Sequence, residues 1–352
     1  MRTVEWDYKE GCLKLIDQRI LPAEFQVNSY YDYHQLADAI RDMVVRGAPA
    51  IGAAAGFGMA LAAFQSRAKS YDELIYDIGL AMDILIQSRI TAVNLRWAVN
   101  RVHQICNRRD LSIDQLKELI LVTAQRIADE DVETNLKMSN YGAVLIDDGD
   151  VIIHHCNTGA LAAVDWGTAL GVIRMAHQNG KKVHVLVDET RPRLQGARLT
   201  AWELQQYGIP YEIITDSAAG YFLSTGEVNK VFFGADRVTA SGDVANKIGT
   251  YMLCLAALDN RIPAYAVIPS STIDFSIVSS EAIPIEERNP DEVLNINYDG
   301  KRVAPQGSSA RNPAFDITPH RLISAIVTEY GVIYPPFSDN LALKIPVELN
   351  LN

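Results

Sequence analysis

The chain has 352 residues, with 32 Lys and Arg against 43 Asp and Glu, a formal net charge of −11. That balance argues against non-specific grip on nucleic acid, which draws on surplus basic side chains to displace counterions, but it leaves room for a local anion pocket. With 48% hydrophobic and 21% charged residues, the mix is globular rather than disordered, and the length suits about two domains.

The opening MRTVEWDYKEGCLKLIDQRI has no apolar block behind a basic head, so no secretory leader is expected. Leu36, Ile40 and Val44 recur at helical spacing, and Pro49 sits where a first helical turn accepts proline, just after Arg46-Gly47-Ala48. The apolar stretch from Ala48 to Phe64 carries Gly and Pro and is short for a bilayer crossing, so an interior helix and no membrane association are expected. Leu74, Ile78, Leu80, Met82 and Leu85 mark another amphipathic helix. Residues from Ser112 to about Tyr141 read as a long helix with Leu116, Leu119, Ile120, Val122 and Ile127 on its apolar side.

From Val151 the rhythm changes. The short apolar runs VIIHH, VHVLVD, YEIIT, KVFFGAD and AYAVIP alternate with helix-length stretches, the pattern of parallel strands joined by crossover helices. The fold class expected is α/β: a smaller, mainly helical N-terminal domain, residues 1–125, and a doubly wound, mostly parallel, Rossmann-like domain, residues 126–352. The proline-richer end from Ile283 to Pro346 shows few regular patterns.

Ligands of such sheets sit beyond the carboxyl ends of the strands. Just past those ends lie Cys156 to Gly159, Glu189 to Gly196, Asp216 to Gly220, Asp236 and Arg237 with Asn246 and Lys247 opening the next helix, and Ser270 to Thr272. If the sheet is right, these five loops converge on one cleft. Cys156 precedes a Gly-containing turn that should open a helix, whose amino terminus favours a thiolate; the alternative is a buried cysteine acting as a small hydrophobe. Asp236 is either a catalytic carboxyl or a cap paired with Arg237. Arg46 to Gly52 offers small residues and an arginine at a helix start, suited to a phosphate or to tight helix packing. Arg89 and Lys247 are further anion candidates.

The four cysteines, Cys12, Cys106, Cys156 and Cys254, form no C-x-x-C pair, so free thiols in a reducing cytoplasm are expected. His154 and His155 are strand neighbours with side chains on opposite faces, one expected in the core and the other toward the helices or cleft. No cluster has metal-ligand spacing, so no metal is expected. There is no G-x-G-x-x-G after a strand, no G-x-x-x-x-G-K-[ST] and no G-x-S-x-G.

Seven segments carry a family likeness: RGAPAIG (46–52), SRITAVNL (88–95), CNTGALA (156–162), DETRPRLQGARLTAWEL (188–204), GADRVTASGDVANKIGTY (234–251), IPIEER (283–288) and NPAFDITP (312–319). Through them the chain resembles the methylthioribose-1-phosphate isomerases of methionine salvage, within the initiation factor 2B alpha/beta/delta-like superfamily. The resemblance implies an aldose–ketose isomerase acting on a sugar phosphate, cytoplasmic, without a cofactor, and a homodimer. It implies proton handling by Cys156 and Asp236, and substrate contacts from Arg46, Gly47, Ala48, Arg89, Gln195, Asn246 and Lys247. Ile90 stands where the family usually has proline. The competing readings are a ribose-1,5-bisphosphate isomerase, which needs a second anion site, and a non-catalytic regulatory subunit of a translation-initiation exchange factor, which should have lost the Cys/Asp pair. On the isomerase reading, Asp236 is the acid, its pKa raised by the apolar flank Val231, Phe232 and Phe233, and Cys156 is the base; direct hydride transfer is the competing chemistry.

Overall fold

The computed structural model describes residues 2–89 and 92–346, so Ile90 lies outside the described residues. The chain forms two compact units, one of residues 1–135 with 158–167, the other of residues 136–157 with 168–352.

The first unit opens on an antiparallel sheet, β1 (Val4–Asp7), β2 (Cys12–Ile16) and β3 (Val27–Tyr30), where the sequence showed only a short opening segment. Helices α1 (Tyr33–Arg41), α2 (Ala48–Gln65), α3 (Tyr71–Ser88), α4 (Val93–Gln104) and α5 (Ile113–Ala143) follow, the last continuing into the second unit. Asp32 caps α1 through the amides of His34 and Gln35, and Ser70 and Glu73 form a capping box on α3. Helix α2 has Pro49 in its first turn, as expected, and every residue from Ala50 to Ala63 is buried. It is apolar all round because other elements surround it: α1, α3 and α4 all pack on it. Phe57 lies fully buried within α2, its ring stacked on Trp6 with centroids 5.7 Å apart. Phe57→Ala is expected to cost about 3–5 kcal/mol and to lower the urea midpoint accordingly; a midpoint unchanged from the wild type would contradict this packing.

The second unit is built on a seven-stranded sheet. Its first strands and helices are β4 (Val151–His154), α6 (Ala169–Gln178), β5 (His184–Asp188), α7 (Ala201–Tyr207), β6 (Tyr211–Ile214), α8 (Ala219–Ser224) and β7 (Lys230–Phe233). A hairpin, β8 (Arg237–Thr239) and β9 (Val244–Lys247), precedes α9 (Thr250–Asp259), β10 (Ala264–Val267) and β11 (Ile273–Asp274). The remainder holds a short helix α10 (Asp291–Leu294), a small ribbon of β12 (Asn297–Tyr298) and β13 (Lys301–Arg302), then β14 (Phe315–Thr318), β15 (Ala325–Thr328), β16 (Gly331–Ile333) and α11 (Phe337–Lys344).

The main sheet runs β16-β15-β10-β7-β4-β5-β6, parallel except for the edge pair β15–β16. All five strands read from the sequence are present. The C-terminal stretch is more regular than expected: β15 is an interior strand of this sheet, fully buried, and β14 closes a second sheet, β11-β8-β9-β14. From β4 the chain winds outward to β5 and β6 on one side, then returns to β7 on the other. The crevice where strand order reverses therefore opens between β4 and β7, and such a switch point is where α/β sheets take their ligands.

Candidate active site

The register pairs His154 of β4 with Phe232 of β7, so the loops carrying Cys156 and Asp236 rise from adjacent strands at the switch point. The hairpin then folds Asn246 and Lys247 back beside Asp236: the Asp236 amide donates to the Ala245 carbonyl at 2.9 Å. This corrects one expectation. Asn246 and Lys247 do not open a helix; they end strand β9, and α9 starts at Thr250. The Thr250 hydroxyl accepts from Asn246 Nδ2 at 2.9 Å and donates to the Lys247 carbonyl at 2.7 Å, which locks both residues to the start of α9. Lys247 is buried, its Nζ donating to the Ala314 carbonyl at 2.8 Å and lying 4.5 Å from the centre of the Phe315 ring.

Cys156 is buried, and its backbone is left-handed, with φ 67°. No α-helix begins there: a 3-10 turn, Ala160–Ala162, follows, and α6 starts only at Ala169. The dipole of a helix opening directly after Cys156, as expected from the sequence, is therefore not there to act on this thiol. Two neighbours in the β5 loop, Thr190 (φ 63°) and Leu194 (φ 58°), share the left-handed conformation. Each such non-glycine residue costs on the order of 1–3 kcal/mol and persists only where the surroundings hold it. Here they do. The Cys156 amide donates to Thr190 Oγ1 at 3.0 Å, and its carbonyl accepts from Thr200 Oγ1 at 2.7 Å. The Thr190 hydroxyl in turn donates to the Asp188 carbonyl. Asp216 accepts the amides of Thr190 and Arg191, each at 2.7 Å. Asn157 donates to the fully buried Glu203 at 2.8 Å. Cys156 is thus held by the loops after β5 and β6, not left as a loose core thiol.

Gln195 precedes a π-helical turn, Gly196–Thr200, that leads into α7. The side chain is buried, and its Oε1 accepts no hydrogen bond among the described residues, which leaves an acceptor for a donor such as a sugar hydroxyl. Asp236 departs from expectation in another way: it is exposed, whereas Val231, Phe232 and Phe233 are wholly buried in the sheet. Three residues beyond the strand, the carboxyl has left the apolar layer, so that flank does not desolvate it. In the loop after β10, Ser270 donates to Glu329 at 2.5 Å, just past the end of the neighbouring strand β15.

Of the strand neighbours His154 and His155, expected one in the core and the other toward the helices or cleft, both are fully buried, and His155 lies between Asp188 Oδ2, 2.8 Å from Nδ1, and the Ile248 carbonyl, 3.1 Å from Nε2. Burial drives the His154 pKa down to about 3, aided by the charge of its neighbour, so that ring is neutral. For His155, burial acts the same way, but the hydrogen bond and charge of Asp188, with Asp216 and the Ile248 carbonyl, more than offset it and raise the pKa. His155, Asp188 and Asp216 bring ligand-type atoms within 4.8 Å of one another. The hydrogen bonds just described already engage both His155 nitrogens and both Asp216 oxygens. Sequence spacing gave no sign of this cluster, because its members come from three strand ends.

The remaining candidates belong to the first unit. Gly47 is the N-cap of α2, at φ 92°, and a Cβ there would fall 2.1 Å from the Ala162 carbonyl oxygen, so close packing alone demands glycine. Arg46 and Ala48 flank it, half-buried, and the half-buried Arg89 ends α3.

A model of the Initiation factor 2 subunit family matches residues 44–335. Methylthioribose-1-phosphate isomerase of Acetivibrio thermocellus is 49% identical over 336 residues, 95% of this chain and 98% of that protein. The crystal structure of 5-methylthioribose 1-phosphate isomerase from Pyrococcus horikoshii OT3 matches with a TM-score of 0.92 at 47% identity, covering 97% of this chain and 95% of that one. A crystal structure described as the translation initiation factor eIF-2B, subunit delta, from A. fulgidus matches with a TM-score of 0.89 at 43% identity, covering 99% of each. Likeness of this extent, over nearly the whole length of each chain, makes this protein a member of the initiation factor 2 subunit family, alongside the methylthioribose-1-phosphate isomerases.

Proposed function

We propose that the protein converts 5-methylthioribose 1-phosphate to 5-methylthioribulose 1-phosphate, with Cys156 and Asp236 as the proton-handling pair. The observation that carries the reading is the switch point: the Cys156 and Asp236 loops leave neighbouring strands there, and the hairpin sets Asn246 and Lys247 beside them.

Carbon 1 is locked by its phosphate, so no free aldehyde can acidify the C–H at carbon 2. The ring opens with the phosphate retained. Asp236 gives a proton to the ring oxygen as its bond to carbon 1 breaks. Cys156, as thiolate, takes the proton from carbon 2, leaving a carbon 1–carbon 2 double bond that still carries the phosphate. Return of a proton to carbon 1, with loss of the proton on the carbon 2 hydroxyl, yields the ketone. Within the second unit, Lys247 holds the phosphate, and Asn246 and the buried acceptor Oε1 of Gln195 orient hydroxyls. The resemblance implies further substrate contacts from Arg46, Gly47, Ala48 and Arg89. Asp236 is exposed in this structure, and bound substrate would shield it from water.

Incubation with 5-methylthioribose 1-phosphate and detection of ketose tests the assignment; no turnover there, with turnover of ribose 1,5-bisphosphate, transfers it to the bisphosphate. In deuterated water the proton route places solvent deuterium on carbon 1. Complete retention of the substrate hydrogen under all conditions removes Cys156 as base in favour of hydride transfer. We also propose a cytoplasmic homodimer; light scattering on the purified chain reads the stoichiometry.

A further inference from the structure

His155 is the residue just before Cys156, and the isomerisation as written makes no use of it. Both of its ring nitrogens face acceptors. Nδ1 meets the Asp188 carboxylate and Nε2 the Ile248 carbonyl, and a carbonyl can only accept. Satisfying both bonds from the ring needs a proton on each nitrogen. The charged groups around it favour that cation. Asp188 from β5 and Asp216 from the loop after β6 both act on it, and Asp316 of β14 senses its charge. Lys247 of β9 acts on Asp316 as well, while His154 on the same strand as His155 is neutral. Asp316 in turn accepts the amides of Gly249 and Tyr251, at 2.7 and 3.1 Å, which fixes the turn His155 reaches. Asp188 Oδ1 is buried and accepts nothing among the described residues, so His155 is the only described side chain that its carboxylate bonds.

We propose that His155, protonated on both ring nitrogens with Asp188 as counter-ion, is a positioning residue that ties the Cys156 loop to the Ile248 turn behind Asn246 and Lys247. One ring spans the ends of β4, β5 and β9. It sets the spacing between the base and the groups that hold the sugar. This rests on the isomerase reading for its kinetic consequence, but not for the protonation state.

The protein with 15N-labelled histidine has seven rings, and His155→Gln identifies the signal that disappears. The expected wild-type signal shows both nitrogens protonated from pH 6 to pH 9. A bare Nδ1 near neutral pH, with the proton on Asp188 instead, overturns the proposal. Asp188→Asn removes the counter-ion and leaves the burial that lowers the pKa, so His155 should be neutral at neutral pH and regain its second proton only in acid. Turnover of that variant should fall on the order of 100-fold at pH 8, with KM little changed, and recover toward acid pH as the ring regains its proton. A folded Asp188→Asn protein with wild-type turnover and a flat pH profile overturns the positioning role. If neither variant folds, the wild-type spectrum decides the protonation: a ring doubly protonated from pH 6 to pH 9 supports it, since His154 is flat there but neutral, and the absence of any such ring overturns it. A wild type that is inactive on 5-methylthioribose 1-phosphate sinks the isomerase reading and leaves the 15N result standing.

Discussion

Cys156→Ser and Asp236→Asn should each lower kcat by about 10²–10⁴-fold while the sugar phosphate still binds. A serine hydroxyl is far too weak an acid to supply a base at neutral pH, whereas a thiol, with an ordinary pKa of about 8.5, is within reach of ionisation. The two side chains differ by one atom, so the contacts that hold the residue, from Thr190 Oγ1 to its amide and from Thr200 Oγ1 to its carbonyl, survive the change. Asparagine keeps the shape of Asp236 but cannot pass a proton, and the backbone bond to Ala245 is untouched. Steady-state kinetics together with calorimetric binding of the product separate the two effects. Near-normal turnover in either variant removes that residue from the mechanism, and lost binding reassigns it to holding the substrate.

Gly196→Ala should be nearly as damaging, through structure. A Cβ at that position would lie 1.7 Å from the Asp188 carbonyl oxygen and 3.0 Å from Thr190 Oγ1. The first of these is backbone and cannot swing aside, so the β5 end and the π turn must part. The same carbonyl accepts from Thr190, and Thr190 holds the Cys156 amide. The displacement therefore reaches the thiol and the neighbouring Gln195. Overpacking of this kind costs about 1–3 kcal/mol or more, and a misplaced reacting group can cost on the order of 100-fold in rate. A thermal melt and kcat on the same sample read both losses. A variant with unchanged melting and rate would show that this contact is slack.

His155 also shapes the alkaline side of the stability curve. Its folded pKa is raised above the ordinary value, so the native state binds the proton more tightly than the unfolded chain. The stabilisation is complete below about pH 6.5, the unfolded pKa, and is lost as pH climbs through the higher folded value.

The chain order of residues carried much of this fold. Parallel strands buried on both faces reveal themselves as short apolar runs, and all five such runs are strands of the main sheet, although β6, at its edge, leaves Glu212 and Ile213 exposed. The apolar helix α2 was legible for the same reason, being enclosed on every side. What local pattern could not show depends on partners distant in sequence. Strand β15 has no crossover helix before it, and β9 owes its existence to pairing with β8 on one side and β14 on the other. A segment that carries Asn246 and Lys247 toward a helix looks the same in sequence whether its last turn is helix or strand.

The sequence by itself determined the family, the α/β class and the chemical identity of the thiol, carboxyl, amide and cationic groups, because these follow from residue type and from periodicities a few positions long. The tertiary structure alone decided that Cys156 is held in a left-handed conformation by Thr190 and Thr200, that Asp236 stands outside the apolar layer, and that His155 meets Asp188 and Ile248. Each of these is a relation between strand ends tens of residues apart. Burial and hydrogen bonding there are set by the order in which the strands lie side by side, which no local spacing encodes.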